Sequence, residues 1–435
     1  MKLHYYGAAS IAIDTVKGKR ILCDPWFDTP AFLGSWIPFP KPIFDYNEQI
    51  DFIYISHAHS DHLDIKTLSK LSKEISILIY DFENAFLYNR IKLLGFKKIH
   101  RLKNGEEFRI DEDTIVKIYG PTEIHSSLAK QDVIDTSLLI KDDQHVVLNF
   151  NDNLYELRNE VLQKIKSENP KIDLLCHGYT SASSYPQCTI SLSDNEMTKE
   201  RDRVNQHCLE RSRKLIEFLD PEVFMPFAGF YVLCGKLSSL NSKKANLHPF
   251  EALGSYEQKM SNILENRKCL VLNNNESYCL STKKESNPYR HYTEEDLRLF
   301  IEENKEIKFP YELFDRIPNS QDILCLVDNC YKRMESHRKK FNFSSETIVF
   351  IKLPENLYLS LSFNGKGYST IKDDQLSFNT GFIMMELDYR LLEMLLKGPR
   401  SAHWDNADHG SHIKYYKKPN TYERGIYHLM CYFHR

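Results

Sequence analysis

The 435-residue sequence has no apolar run approaching the ~18–20 residues that a membrane-spanning helix needs. It also lacks an excess of charge of either sign: 57 lysines and arginines face 60 aspartates and glutamates, a net charge of −3. That balance argues against a dedicated binder of nucleic acid or of anionic membrane surfaces. No Cys-x-x-Cys pair occurs, and the ten cysteines are irregularly spaced. They read as reduced thiols, and a cytoplasmic location is expected. The opening residues, 1–14, lack the basic segment and apolar core of a secretory signal, so none is expected. Internal repeats and low-complexity tracts are missing too.

What is present is the composition of a globular chain, 42% hydrophobic and 27% charged, long enough for two domains. The expected division is 1–280 and 291–435, with residues 281–290 (STKKESNPYR) as the linker. Short apolar runs predict strands at 52–56, 75–80, 108–110, 114–119, 136–141, 145–150, 172–176 and 222–227, and in the later region at 347–353 and 357–362. Strands at 10–14 and 20–23 flank the turn Val16-Lys17-Gly18-Lys19 and read as a hairpin. Helical spacing appears at 65–71, 155–167 and 199–219. Residues 26–44 are too aromatic for a flexible linker and too proline-rich for a helix, which predicts an ordered loop. The fold class is α/β, with helices layered on sheets.

One segment carries chemistry. Directly after the apolar run at 52–56 comes His57-Ala58-His59-Ser60-Asp61-His62. Imidazoles and a carboxylate this close together suit zinc, iron or manganese. In a turn leaving a strand, His57 and His59 can address one ion while Asp61 and His62 reach a second.

This segment resembles the signature of the metallo-β-lactamase superfamily, which implies an αββα sandwich with its metal ions at one end of two facing sheets. Cys23-Asp24-Pro25-Trp26 resembles the family's early strand end, and Asn149-Phe150-Asn151-Asp152 the segment supplying a bridging carboxylate, here Asp152. Over residues 1–235 the chain is similar to the catalytic region of CMP-N-acetylneuraminate hydroxylase-like proteins, through residues 54–63, Asp135-Thr136, 149–152 and 226–230. Those hydroxylases carry a Rieske centre, which requires a Cys-x-His and a Cys-x-x-His pair. Only the second occurs here, at Cys431 and His434, so no Rieske centre is expected.

The resemblance implies a ligand set of His57, His59, Asp61, His62, Asp135 and Asp152; the family's late histidine has no counterpart at 226–230, and His177, at the end of the strand 172–176, is the expected replacement. His125 competes with Asp135, and His248 with His177. Asp61 and His177 are the expected catalytic residues. An aspartate at position 135, where hydrolytic members carry histidine, tilts the preference from zinc towards iron or manganese.

Two divalent ions at such a site support either of two reactions. Activated water can cleave an ester, thioester, amide, lactone or phosphoester. Alternatively, a diiron centre can insert oxygen into a sugar or other small metabolite, with electrons from a separate donor protein or from the substrate. Hydrolysis is the first expectation and oxygenation the alternative. The partner is a small molecule. A catalytically inactive relative is disfavoured by the intact signature, and nuclease activity by the lack of an extended basic stretch. Residues 34–36 and 38–40 could wall a pocket, and the hydroxyls of 179–185 could orient a polar substrate. Residues 402–412 (AHWDNADHGSH) could close over the site as a lid or bind metal.

Overall fold

The computed structural model describes residues 1–120, 135–152, 159–378 and 380–435. Two sheets face each other. The first has eight strands, in the order Lys284–Glu285, Glu276–Cys279, Lys2–Gly7, Ser10–Asp14, Arg20–Cys23, Phe52–Tyr54, Ser76–Tyr80 and Ile99–Leu102. The second has seven: Lys268–Cys269, Pro221–Pro226, Ile172–His177, Val146–Asn149, Ser137–Lys141, Ile115–Tyr119 and Glu107–Arg109.

Strand alternation explains how these sheets are filled. On the first sheet Ile11, Ile13, Ile21 and Tyr54 turn inward, where they meet Ile118, Leu138, Ile140, Leu174 and Cys176 of the second. The intervening residues turn outward. Ala12, Leu22, Ile53 and Ile77 pack beneath Leu68 and Leu87 of the helices Ile65–Lys70 and Phe86–Leu93. Leu139, Leu148, Leu175 and Phe224 pack beneath Leu209, Ile216 and Tyr256 of the helices Asp194–Leu219 and Pro249–Lys259. This is the expected αββα sandwich.

The hairpin forms as predicted, with Ile11 opposite Cys23 and Thr15 N–H donating to the Lys19 carbonyl. The helix anticipated from 199 begins at Asp194, because Ser193 and Glu196 form a capping box five residues earlier. The strand Lys2–Gly7 was not anticipated: its His and Tyr positions hide the alternation that aliphatic residues would show. Within the expected linker, Lys284–Glu285 pairs with Glu276–Cys279 at the edge of the first sheet.

Beyond the sandwich lies a five-stranded sheet, ordered Tyr368–Lys372, Leu357–Phe363, Ser345–Leu353, Phe382–Glu386 and Lys414–Lys418. The helices Ser320–Lys340, Tyr389–Lys397 and Arg424–Met430 cover one face of it. Their apolar core also takes in Ile37, Cys188, Val232 and Cys234 from the first half of the chain. Among the described residues, no helix is long and apolar enough to cross a membrane.

Candidate metal centre

The site forms where strands end together. Arg20–Cys23 runs parallel to Phe52–Tyr54, with Cys23 opposite Tyr54, so Asp24 and the turn at 56–62 emerge at the same end. Val146–Asn149 runs parallel to Ile172–His177 and antiparallel to Ser137–Lys141, with Leu138 opposite Asn149. This register brings Asp135 and Asp152 to that end from the second sheet.

Asp24 braces the turn. It is fully buried, with φ +43°, a left-handed conformation that aspartate tolerates better than most residues. Its carboxylate accepts the Ser56 N–H at 2.8 Å and the Asn151 side-chain amide, and lies 3.3 Å from His62 Nδ1. Thr136 ties the other sheet in: its hydroxyl donates to the Ser56 carbonyl at 2.8 Å and lies 2.6 Å from the Tyr54 hydroxyl.

The candidate ligand atoms then converge. His57 Nε2 lies 2.8 Å from His59 Nδ1 and 3.1 Å from Asp135 Oδ1. His62 Nε2 lies 3.2 Å from Asp152 Oδ2 and 3.5 Å from Asp61 Oδ2. His57, His62 and Asp152 offer ligand atoms within 4.8 Å of one another. Two imidazole nitrogens facing each other at 2.8 Å need either a shared proton or a cation between them. Asp61 Oδ1 is buried with no hydrogen-bond partner among the described residues. Both features fit a metal-binding hollow.

The electrostatics agree. Burial holds His57 well below its ordinary pKa, the neutral form a metal requires. Burial also opposes charge on His62, yet the carboxylates of Asp61 and Asp152 raise it well above its ordinary value. Asp61 is raised by burial but held low overall by His62. A proton on His62 thus balances acids that a divalent cation would balance instead.

A second group comes from the other end of the chain. His59 Nε2 lies 2.8 Å from Asp405 Oδ2, at the start of the helix Trp404–His409. His409 Nδ1 lies 3.0 Å from the Asp405 carbonyl oxygen, and its ring stacks on Phe32 at 5.5 Å. His59, Asp405 and His409 form another candidate cluster. The expected 402–412 segment therefore reaches the site through Asp405 and His409.

His177 does not join the cluster. Leu175 faces the helices, and His177, two residues on, faces the same way, with Nε2 2.6 Å from Ser212 Oγ; that hydroxyl in turn lies 2.5 Å from the Tyr256 hydroxyl. Strand alternation thus directs the ring away from the metal turn. His248 caps the helix Pro249–Lys259, with Nδ1 accepting the Phe250 N–H. His125 lies outside the described residues. Three of the hydroxyls of 179–185 are engaged elsewhere: Tyr179 on the Leu247 carbonyl, Ser184 on Asp408 and Tyr185 on Glu200. Trp36 lines a small cavity with Tyr231, beside Asp61, His62 and Asp152. The two rings stack at 3.3 Å, and both Trp36 Nε1 and the Tyr231 hydroxyl are buried without a hydrogen-bond partner among the described residues.

Sequence reasoning missed the bracing role of Asp24, although its place at a strand end beside the motif strand was a usable signal. It also missed Tyr231, for which the sequence offers none.

Residues 2–170 match the family model described as a beta-lactamase superfamily domain. A Mycobacterium tuberculosis protein named for a Rieske 2Fe-2S iron-sulfur centre is 28% identical over 263 residues, 57% of this chain and 48% of that protein. The cytidine monophosphate-N-acetylneuraminic acid hydroxylase of Mus musculus is 27% identical over 221 residues, 49% of this chain and 36% of the hydroxylase. The chain therefore matches half or less of the length of these relatives. Among solved structures, the isothiocyanate hydrolase from Delia radicum gut bacteria is 15% identical, with a TM-score of 0.43, covering 64% of this chain and 98% of that one.

Proposed function

We propose that this chain is an enzyme whose dinuclear centre holds iron and uses oxygen to hydroxylate a small metabolite. One observation carries the reading: Asp135 and His59 both converge on His57 Nε2, at 3.1 and 2.8 Å. Two imidazoles and one carboxylate around one point are the donor set of non-haem ferrous oxygenases. His62, Asp61 and Asp152 add one imidazole and two carboxylates for a second ion, and this proportion of anionic oxygen favours iron over zinc.

When bound, such a pair supplies oxygen reduction: one oxygen atom enters a C–H bond as a hydroxyl and the other leaves as water, with two electrons and two protons from an external donor. The chain's own residues prepare for this. Burial keeps His57 neutral, and Asp24 orients His62 from behind. Trp36 and Tyr231 hold an N–H and an O–H available for a polar group of the substrate. The electron donor is a separate reductase-type partner. The ten free cysteines fit work in a reducing, cytoplasmic compartment.

Hydrolysis is a second reading with an observation of its own. Asp61 keeps Oδ1 buried and unpartnered among the described residues, able to accept a proton from an attacking water and direct it at an ester, thioester, amide or phosphoester.

Metal analysis and oxygen uptake separate the two. Protein purified without added metal is expected to carry about two irons per chain and, after chemical reduction, to consume oxygen. Zinc without iron, and no oxygen uptake, would overturn the oxygenase in favour of the hydrolase.

A further inference from the structure

Each imidazole of the metal turn is held at the nitrogen that faces away from the centre. His57 Nδ1 lies 2.9 Å from Ser56 Oγ, and His62 Nδ1 lies 3.3 Å from Asp24 Oδ2. Both partners belong to the same end of the first sheet. The third histidine differs, because its partner is Asp405, 346 residues away in sequence.

We propose that Asp405 is a positioning residue for the metal centre, and that the C-terminal part of the chain thereby completes a site whose ligands all lie in the first part. The inference rests on the reading that the turn binds metal. A neutral imidazole carries one N–H. With Nε2 2.8 Å from an anionic carboxylate, that proton resides on Nε2, and the lone pair of Nδ1 is left facing His57 Nε2. A carboxylate behind a ligating histidine fixes both its tautomer and its ring plane, and makes the imidazole a stronger donor.

Asp405 is itself held in place. Its N–H donates to His403 Nδ1 at 3.3 Å, and its carbonyl oxygen accepts from His409 at 3.0 Å. The helix carrying it is fastened to the metal turn through Phe32. The Phe32 N–H donates to Ser60 Oγ at 2.7 Å, its carbonyl accepts from His412 Nε2 at 2.9 Å, and its ring stacks on His409. Phe32 has φ +47°, a left-handed conformation unusual for an aromatic residue, held by bonds on both sides of its peptide.

The competing arrangement is a separate cation held by His59, Asp405 and His409. It would take Nε2 of His59 as a ligand while Nδ1 serves the main centre, and so would require an imidazolate, with neither ring nitrogen protonated. The orienting role requires no such step.

Cobalt(II) alone is the probe, titrated into metal-free full-length chain against a competing chelator, with its visible absorption recorded. Wild type is expected to bind two cobalt ions. Asp405→Ala is expected to weaken one of them by roughly 10–100-fold and to shift its absorption. Asp405→Asn, which keeps a carbonyl acceptor and the same shape, is expected to fall between the two. Thermal melts of the metal-free proteins establish that each is folded, and Asp405→Asn carries the measurement if Asp405→Ala is not. Unchanged affinity and absorption in both variants would overturn the proposal. So would a third cobalt ion, bound by wild type and lost in Asp405→Ala, which would make Asp405 a ligand. A wild-type chain that takes up no cobalt would overturn the metal reading itself, an outcome distinct from a wild type that binds metal indifferently to residue 405.

Discussion

Asp24 and His62 meet at the end of the first sheet, Oδ2 to Nδ1 at 3.3 Å, both fully buried or nearly so. The same carboxylate takes the Ser56 amide and the Asn151 side chain, so three groups lose their partner when it is removed. Breaking one side of a buried charged network costs about 3–5 kcal/mol. Asp24→Ala is expected to lower stability by about this amount in urea unfolding and to reduce metal content as well. A variant as stable as wild type would show that the brace is not one.

Asp135 tests the choice of metal. Replacement by histidine removes one anionic oxygen and restores a three-imidazole arrangement around His57 and His59. Asp135→His is expected to lower the iron-to-zinc ratio of purified protein by roughly tenfold. An unchanged ratio would mean that the ligand set does not select the metal.

His177 separates structural from ligating histidines. Its Nε2 is engaged by Ser212, so His177→Gln is expected to leave metal content intact while costing about 1–3 kcal/mol through the disturbed Ser212–Tyr256 pair. Loss of metal with unchanged stability would return His177 to the centre.

Acid should weaken the fold through the same residue. Burial holds His177 at about 3, against an ordinary value of 6.5, and pushes His412 down to about 4. Between those values the unfolded chain binds protons that the folded chain refuses, so the contribution is complete above 6.5 and is lost progressively as pH falls towards 3. The urea midpoint is expected to drop steadily below that upper value, and less steeply in His177→Gln. Equal slopes for the two proteins would rule out this source.

Tyr231 offers the opposite kind of change. Its hydroxyl is buried without a hydrogen-bond partner among the described residues, and leaving a polar group so placed costs about 1–3 kcal/mol. Tyr231→Phe is expected to be as stable as wild type or more so by about 1 kcal/mol, with unchanged metal content. A clear destabilisation would reveal a partner for that hydroxyl.

Much of this candidate centre is legible in the sequence, because its chemistry is local. His57, His59, Asp61 and His62 lie within one turn after one apolar strand, and short apolar runs gave away most of the strands around it. Asp152 and Asp135, which the structure places beside His62 and His57, were reached only through resemblance, since nothing in residues 149–152 or 135–136 alone marks a candidate ligand. His177 was misplaced because strand alternation decides which face a residue takes, and a shift of one position reverses it. Asp405 was visible as part of an unusual histidine-rich segment, but its partner His59 was not. A contact spanning 346 residues depends on how two sheets and a kinked aromatic loop pack, and no short window of sequence holds that.

Ile37, Cys188, Val232 and Cys234 share one apolar interior with Leu391, Leu395 and Trp404. A descendant that traded its carboxy-terminal half for an unrelated module would leave those four side chains facing water. The first half expressed by itself is therefore expected to present an apolar patch to water and to aggregate.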